Sequence, residues 1–341
     1  MGAVVDLSVI VPAYNERGAL PDLLDEVDEV RARLGRSSEV IVVDDGSTDG
    51  TFGFLQQLSR RRAGMRVIRL RRNFGKSAAL AAGFEHSRGE AVVTIDGDGQ
   101  DDPLEIPALL AKLEDGFDLV SGWKRERRDP ALKRWSSRLF NAVTRRMSGL
   151  PLHDFNCGLK AYSGRCARSL ELYSELHRFV PVLAAQGGWQ VTEIPVVHRP
   201  RVHGKTKFGA ERYLRGLFDL MTVLFIGRYR QRPMHLFGGI GLLLILVGVA
   251  ISLYLTILKI GGSAIGQRPL LLLGAILIVV GAQFLTFGLL GQLIAALGHE
   301  RSPTAGYQVA SVIESTDAAD GPGGSTAAMP HSDPSPLRAG E

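Results

Sequence analysis

The chain has 341 residues, 45% hydrophobic and 22% charged, with a net charge of +5 and two cysteines. That length allows one large core and something extra; the modest positive charge suits an anionic membrane face or phosphorylated substrates at least as well as nucleic acid, and no nucleic-acid partner is expected. Cys157 and Cys166 form no metal-ligand or redox spacing, which points to inert thiols in a reduced compartment, and no basic-then-apolar leader opens the chain.

In chain order, residues 7–12 read as a first strand ending in the polar turn Ala13-Tyr14-Asn15-Glu16, followed by a helix over 18–34. Residues 40–43 form a second strand running into Asp44-Asp45-Gly46-Ser47-Thr48-Asp49, where Ser47 or Thr48 is placed to cap the next helix. A third strand over 67–70 precedes Asn73-Phe74-Gly75-Lys76 and a small-residue helix over 77–85. Strands alternating with helices predict a mostly parallel sheet flanked by helices.

The fourth strand, 91–95, ends in Asp96-Gly97-Asp98-Gly99-Gln100-Asp101-Asp102-Pro103. Two carboxylates one residue apart, past a strand end, can converge on one hard cation if the backbone turns, and Gly97 and Gly99 permit that turn. An ordinary acidic loop with a proline stop is the alternative. Its position favours a ligand, since the carboxyl edge of an open α/β sheet is where ligands bind. Neither GxGxxG nor GxxxxGK[ST] occurs, so neither a Rossmann dinucleotide site nor a P-loop is signalled.

Beyond Pro103 come a helix to about 114, a strand over 118–121 and a basic stretch over 124–138 flanked by Trp123 and Trp135. Then follow Asp154-Phe155-Asn156-Cys157-Gly158-Leu159-Lys160, a helix ending near His177-Arg178-Phe179, and a strand over 192–198. Residues 208–233 have an amphipathic pattern suited to the membrane interface. Residues 234–258 carry no Asp, Glu, Lys or Arg, and 269–297 are broken only by Gln283 and Gln292. At 1.5 Å per residue each run can cross a hydrocarbon core of about 30 Å. Arg228, Arg230 and Arg232 precede the first span, whereas the link holds only Lys259 and Arg268, so the N-terminal domain and both termini are expected in the cytoplasm of a cell-membrane protein. The tail over 299–341, rich in Ala, Gly, Ser, Thr and Pro, is expected to be disordered.

The ordered motifs VPAYNE, VDDGSTDGT, RNFGKSAAL and DGDGQDDP resemble family-2 glycosyltransferases of GT-A fold. DFNCGLKAY, HRFVP and RPRVHGKTKF narrow the likeness to polyprenyl-phosphate glycosyltransferases, relatives of dolichyl-phosphate mannosyltransferase. The resemblance covers about residues 6–300, hairpin included, and implies inverting transfer of a sugar from a nucleotide diphosphate donor, with UDP-hexose favoured, to polyprenyl (undecaprenyl) phosphate. It places Pro12, Tyr14 and Glu16 at the first nucleotide-contacting turn and Val43 and Asp45 at base- and ribose-contacting positions. Asp96, Asp98 and Gln100 fall at the metal and diphosphate positions, with Gly97 between them; Mg2+ or Mn2+ suits such oxygen donors. Lys76, Arg201 and Lys207 are the expected donor-phosphate cations. Lys124 stands where relatives often have Arg; it is expected at the nucleotide-sugar site and, with Lys133, Arg134 and Ser137, also marks the acceptor-phosphate region. Asp154 matches an acidic position that serves as base or organiser, and an already ionised acceptor phosphate favours the organiser. The likeness further implies homo-oligomers formed through the membrane helices. A processive polysaccharide synthase is the alternative on the same fold, but the chain lacks its Gln-X-X-Arg-Trp segment and additional spans. A non-catalytic sugar-nucleotide-binding membrane adaptor is the alternative from another class.

Overall fold

The computed structural model describes residues 5–125, 131–199, 233–262, 269–298 and 309–314. The catalytic-domain strands are β1 (Val5–Ala13), β2 (Ser38–Asp44), β3 (Met65–Leu70), β4 (Gly89–Thr94), β5 (Leu119–Lys124), β6 (Lys160–Ser163) and β7 (Val191–Val196). Between them run α1 (Leu20–Leu34), α2 (Thr51–Ser59), α3 (Lys76–His86), α4 (Ile106–Glu114), α5 (Ala131–Ser148), α6 (Gly164–Ser169) and α7 (Val180–Gln186). Helices α8 (Pro233–Ile260) and α9 (Pro269–Gly298) follow, then strand β8 (Val309–Glu314).

The sheet order is β7-β5-β6-β4-β1-β2-β3-β8, with β6 and β8 antiparallel to their neighbours. Strands buried on both faces need apolar side chains at consecutive positions, and Val9, Ile10 and Val11 of β1 are all 0% exposed. Helix α3 is made of small residues because it lies close on β1. A Cβ at Gly83 would come within 2.4 Å of Ile10 Cγ2, so this helix cannot carry larger side chains on that face.

Two elements differ from the sequence expectation. The segment after Lys160, expected as one helix, begins with β6 and breaks into α6, a 3-10 turn Leu176–Phe179 and α7. A four-residue strand shows no periodicity of its own; it exists because β4 and β5 both offer it hydrogen bonds. The tail expected to be disordered contributes β8, which pairs with β3 from Leu70↔Val309 to Arg66↔Glu314. Val309, Val312 and Ile313 are β-branched, a local signal submerged in the polar composition of the tail. Glu314 accepts an ion pair from the buried Arg66 at 3.0 Å.

Helices α8 and α9 are long and apolar enough to cross a membrane. They cross where glycines let the backbones meet: a Cβ at Gly241 would lie 2.7 Å from Gly281 O, and one at Gly248 equally close to Gly274 O. Their outer surface stays apolar, with Leu243 61% and Leu272 66% exposed, as a hydrocarbon solvent permits and water does not. The expected interfacial segment 208–233 lies outside the described residues except for Pro233.

Candidate active site

Strands β1 to β5 and β7 all end at one edge of the sheet, and the acidic loop after β4 sits there. The loop is folded by its own carboxylates. Asp98 Oδ1 accepts the Gln100 N–H at 3.2 Å, and Asp102 Oδ1 accepts the Leu104 N–H at 3.0 Å, capping a turn over Pro103–Glu105. Asp96 stands at the strand end with Lys76 Nζ 2.5 Å from its Oδ1. Burial alone would raise this carboxyl, but the ammonium groups of Lys76, Lys124 and Lys160 outweigh it and hold Asp96 at about 2. The far side of Asp96 is closed by the Gly158 backbone, where a Cβ would fall 2.3 Å from Asp96 Cγ. Only glycine there lets the 154–160 segment lie against the carboxylate.

Lys160 is 3% exposed and donates to the Cys157 carbonyl. Burial pushes its ammonium down. Beside it, Lys124 is committed to the buried Asp101 at 2.6 Å. Burial alone would lower the Lys124 pKa, but Asp101, Cys157 and Asp96 raise it. The lysine expected to touch donor and acceptor phosphates is therefore spent on the loop. Lys76 is steadied from the next residue: Ser77 Oγ accepts the His177 N–H at 3.0 Å and lies 3.1 Å from its imidazole Nδ1. Burial, with Lys76 and Arg178 close by, keeps His177 well below the ordinary imidazole range, hence neutral.

The loops after β1 and β2 are tied together. Asn15, at a left-handed φ of 57°, donates its N–H to Ser47 Oγ at 2.9 Å and accepts the Thr48 N–H at 2.8 Å. Pro12 is half-buried, Tyr14 is 38% exposed, and the Glu16 carbonyl accepts from Ala19 and Leu20 at the start of α1. Val43 is fully buried, so its side chain belongs to the core. Asp45 accepts the N–H groups of Phe74 and Gly75 at 2.8 and 2.9 Å. Burial nonetheless raises its pKa above the ordinary value.

Asp154 is 1% exposed; its Oδ1 accepts the Asn156 N–H at 3.2 Å, and its own N–H donates to Glu193 Oε2 at 3.2 Å. Glu193 also accepts the His153 N–H at 2.7 Å, and the His153 ring stacks on Trp123 at 4.2 Å. Ser137 is half-buried on α5; Lys133 and Arg134 lie on the same helix, but their side chains fall outside the described residues. Arg201 and Lys207 also lie outside them. The chain leading to them is anchored at the acidic loop. His198 bridges to Asp101, the Arg199 N–H donates to Gln100 O at 2.9 Å, and Arg199 pairs with Glu26 at 2.6 Å and Asp102 at 2.8 Å.

The structure thus gathers Asp96, Lys76, Lys124 and Gly97 at one point and adds Lys160, Asp101, Gly158 and His177, to which the sequence reading gave no role. The signal for Lys160 was present: a lysine opening an otherwise uncharged strand. A divalent cation fits the donor chemistry of Asp96, Asp98 and Gln100, all hard oxygens on half-buried residues. Among the described residues no cluster of three or more His, Cys, Asp or Glu could hold a metal ion by itself. A loop supplying one or two carboxylates, with substrate phosphates and water completing the shell, is the usual arrangement for Mg2+.

Residues 8–168 match the family described as Glycosyl transferase family 2. The dodecaprenyl-phosphate galacturonate synthase of Rhizobium johnstonii is 36% identical over 316 residues, covering 91% of this chain and 94% of the relative. The undecaprenyl-phosphate 4-deoxy-4-formamido-L-arabinose transferase of Pseudomonas aeruginosa is 36% identical over 319 residues, covering 92% and 93%. Among solved structures, a mannosyl-3-phosphoglycerate synthase from Rubrobacter xylanophilus superposes with a TM-score of 0.51 at 17% identity, over 65% of this chain and 74% of that one. A glucosyl-3-phosphoglycerate synthase from Mycobacterium tuberculosis, in complex with Mn2+ and UDP-glucose, gives 0.50 at 22% identity, over 65% and 78%. The GT-A fold expected from the sequence is the fold observed.

Proposed function

Because this chain belongs to glycosyltransferase family 2, we propose that it transfers a sugar from a nucleotide diphosphate donor, UDP-hexose in the first instance, to undecaprenyl phosphate with inversion at the anomeric carbon. The observation that carries the reading is topological. The acidic loop and both connections to the apolar hairpin share one edge of the sheet: Arg199 leaves past the carboxyl end of β7, and Val309 re-enters opposite Leu70 at the carboxyl end of β3. Residues 299–308 can span at most about 35 Å fully extended. That keeps the loop within reach of the bilayer, where a long-chain lipid phosphate resides, while Arg228, Arg230 and Arg232 ahead of the first span favour a catalytic domain on the cytoplasmic side.

Asp98, with Asp96 and Gln100, would hold Mg2+ or Mn2+, which supplies positive charge to a departing diphosphate. The chain's own residues do the rest. Lys76 neutralises Asp96 and presents its ammonium to the donor phosphates. Pro12, Tyr14, Glu16 and Asp45 line the nucleotide end, with Val43 packed in the core beneath it. Arg201 and Lys207, beyond the anchored Arg199, add charge-assisted hydrogen bonds to the same phosphates. The acceptor phosphate is already largely ionised near neutrality, so the protein needs only to align it; Lys133, Arg134 and Ser137 form that region, and Lys124 holds the acidic loop beside it through Asp101. Asp154, locked by Asn156 and Glu193, organises the acceptor side. Self-association through the hairpin belongs to the same proposal and is checked by crosslinking in native membranes.

The test is incubation of the purified full chain with a panel of labelled sugar nucleotides and undecaprenyl phosphate, with the lipid product identified by mass. Asp98→Ala should lower transfer by about 10²–10³-fold. Full turnover by that variant, or no lipid product from any donor, would remove the reading.

A further inference from the structure

Helix α5 is an amphipathic helix with one face left exposed among the described residues. Its inner face is fastened to the site: Asn141 Oδ1 accepts the Phe155 N–H at 3.3 Å, Arg145 Nε donates to Leu152 O at 2.8 Å, and Phe140 packs on Phe179 at 5.3 Å. The outer side exposes Leu139 at 51% and Met147 at 48%, two turns apart along the helix and about 80° apart around it, with Ala142, Arg138 and Arg146 also exposed. Large apolar side chains are poor choices for water, and arginines beside them are poor choices for a protein core. Together they suit an anionic lipid surface, which takes the apolar groups at the acyl boundary and pairs the guanidinium groups with its phosphates.

The topology of the chain, an independent observation, places the start of this helix near the site edge. Helix α5 begins just after β5 ends at the site edge, and the segment leaving it returns to that edge to lay Gly158 against Asp96. Both connections to the apolar hairpin leave from the same edge. We propose that the outer face of α5 rests on the anionic leaflet, so that the catalytic domain touches the bilayer directly instead of hanging from its hairpin. This contact rests on the hairpin being in a membrane and goes beyond the sugar-transfer reading. It would bring the lipid phosphate to the helix that carries Lys133, Arg134 and Ser137.

The experiment needs no turnover. Cys157 and Cys166 are buried, so a single cysteine at Leu139→Cys or Met147→Cys can be labelled selectively with an environment-sensitive dye. Arg33→Cys, at the exposed far end of α1, is the control. The full chain is reconstituted into phosphatidylglycerol vesicles containing a nitroxide-bearing lipid, and in parallel into phosphatidylcholine vesicles and detergent. The expected result is quenching several-fold greater at 139 and 147 than at 33. It should weaken in phosphatidylcholine and fall again in Arg138→Glu/Arg146→Glu. Equal quenching at all three sites would overturn the proposal. So would a dye at 139 that is shielded as strongly in detergent as in lipid, since a second copy of the chain would then be the cover. Loss of lipid glycosylation with quenching intact would count against the function proposed above and leave this contact standing.

Discussion

Two acidic loops flank the end of β1 on the sheet edge, and the carboxylates just past their strand ends, Asp45 and Asp96, are used in opposite ways. After β2, Asp45 accepts two backbone N–H groups, Asp44 accepts the Ser47 N–H at 3.1 Å, and Asp49 accepts the Thr51 N–H at 3.0 Å. After β4, Asp96 faces a lysine ammonium instead. A main-chain donor cannot move without moving the fold, whereas a lysine on a flexible stem can exchange one anion for another. The first loop is built to hold its shape. The second is built to release a partner when a diphosphate and its counter-ion arrive.

The largest expected effect comes from pressing on the second loop. Gly158→Ala places a methyl against the Asp96 carboxylate and should cost about 1–3 kcal/mol of stability. Transfer should fall more steeply, by on the order of 10²-fold, because an active-site displacement near 1 Å has that consequence. Circular dichroism melting beside turnover measurements separates the two; a variant that loses stability yet keeps its rate would mean Asp96 tolerates displacement.

Pressing on the first loop should invert the balance. Asp45→Asn replaces one of two accepting oxygens by an amide donor facing an N–H, at a cost of about 1–3 kcal/mol. The 72–75 turn should loosen, raising the donor KM more than it lowers kcat. If kcat collapses while the melting temperature holds, Asp45 is chemical machinery and the contrast between the loops fails.

The smallest effect is a pH dependence. Asp96 is held at about 2, below its ordinary 3.8. Its contribution to stability is therefore complete above about pH 4 and is lost as the pH falls toward 2. Lys76→Met removes the nearest ammonium and lets the folded-state pKa rise toward the unfolded value, so in that variant the loss should be smaller and complete at a higher pH. Superimposable acid-melting curves for the two proteins would show that Lys124 and Lys160 suffice to hold the carboxylate.

Most of the architecture was legible in local pattern. The strands β1 to β5 and β7 announce themselves as apolar runs, the hairpin by its length without charge, and the ligand edge by Asp45 and Asp96 falling just past strand ends. What escaped was whatever a neighbour creates. Strand β6 is too short to carry a period, and β8 needs the open edge of β3 to become a strand at all. The commitment of Lys124 to Asp101 joins residues on different elements, which no spacing along the chain foretells.

The sequence by itself settled the kind of molecule: an α/β sheet with acids at its ligand edge, followed by two helices apolar on every side, because burial and hydrocarbon each demand a composition visible residue by residue. Only the tertiary structure decided which carboxylates are scaffold and which are poised, and which way the site edge is tethered. Those properties arise from distances between residues far apart in the chain, such as Asp96 to Lys76 and Gly158, or Leu70 to Val309. Electrostatics and close contact act across space, and the order of residues does not encode them one at a time.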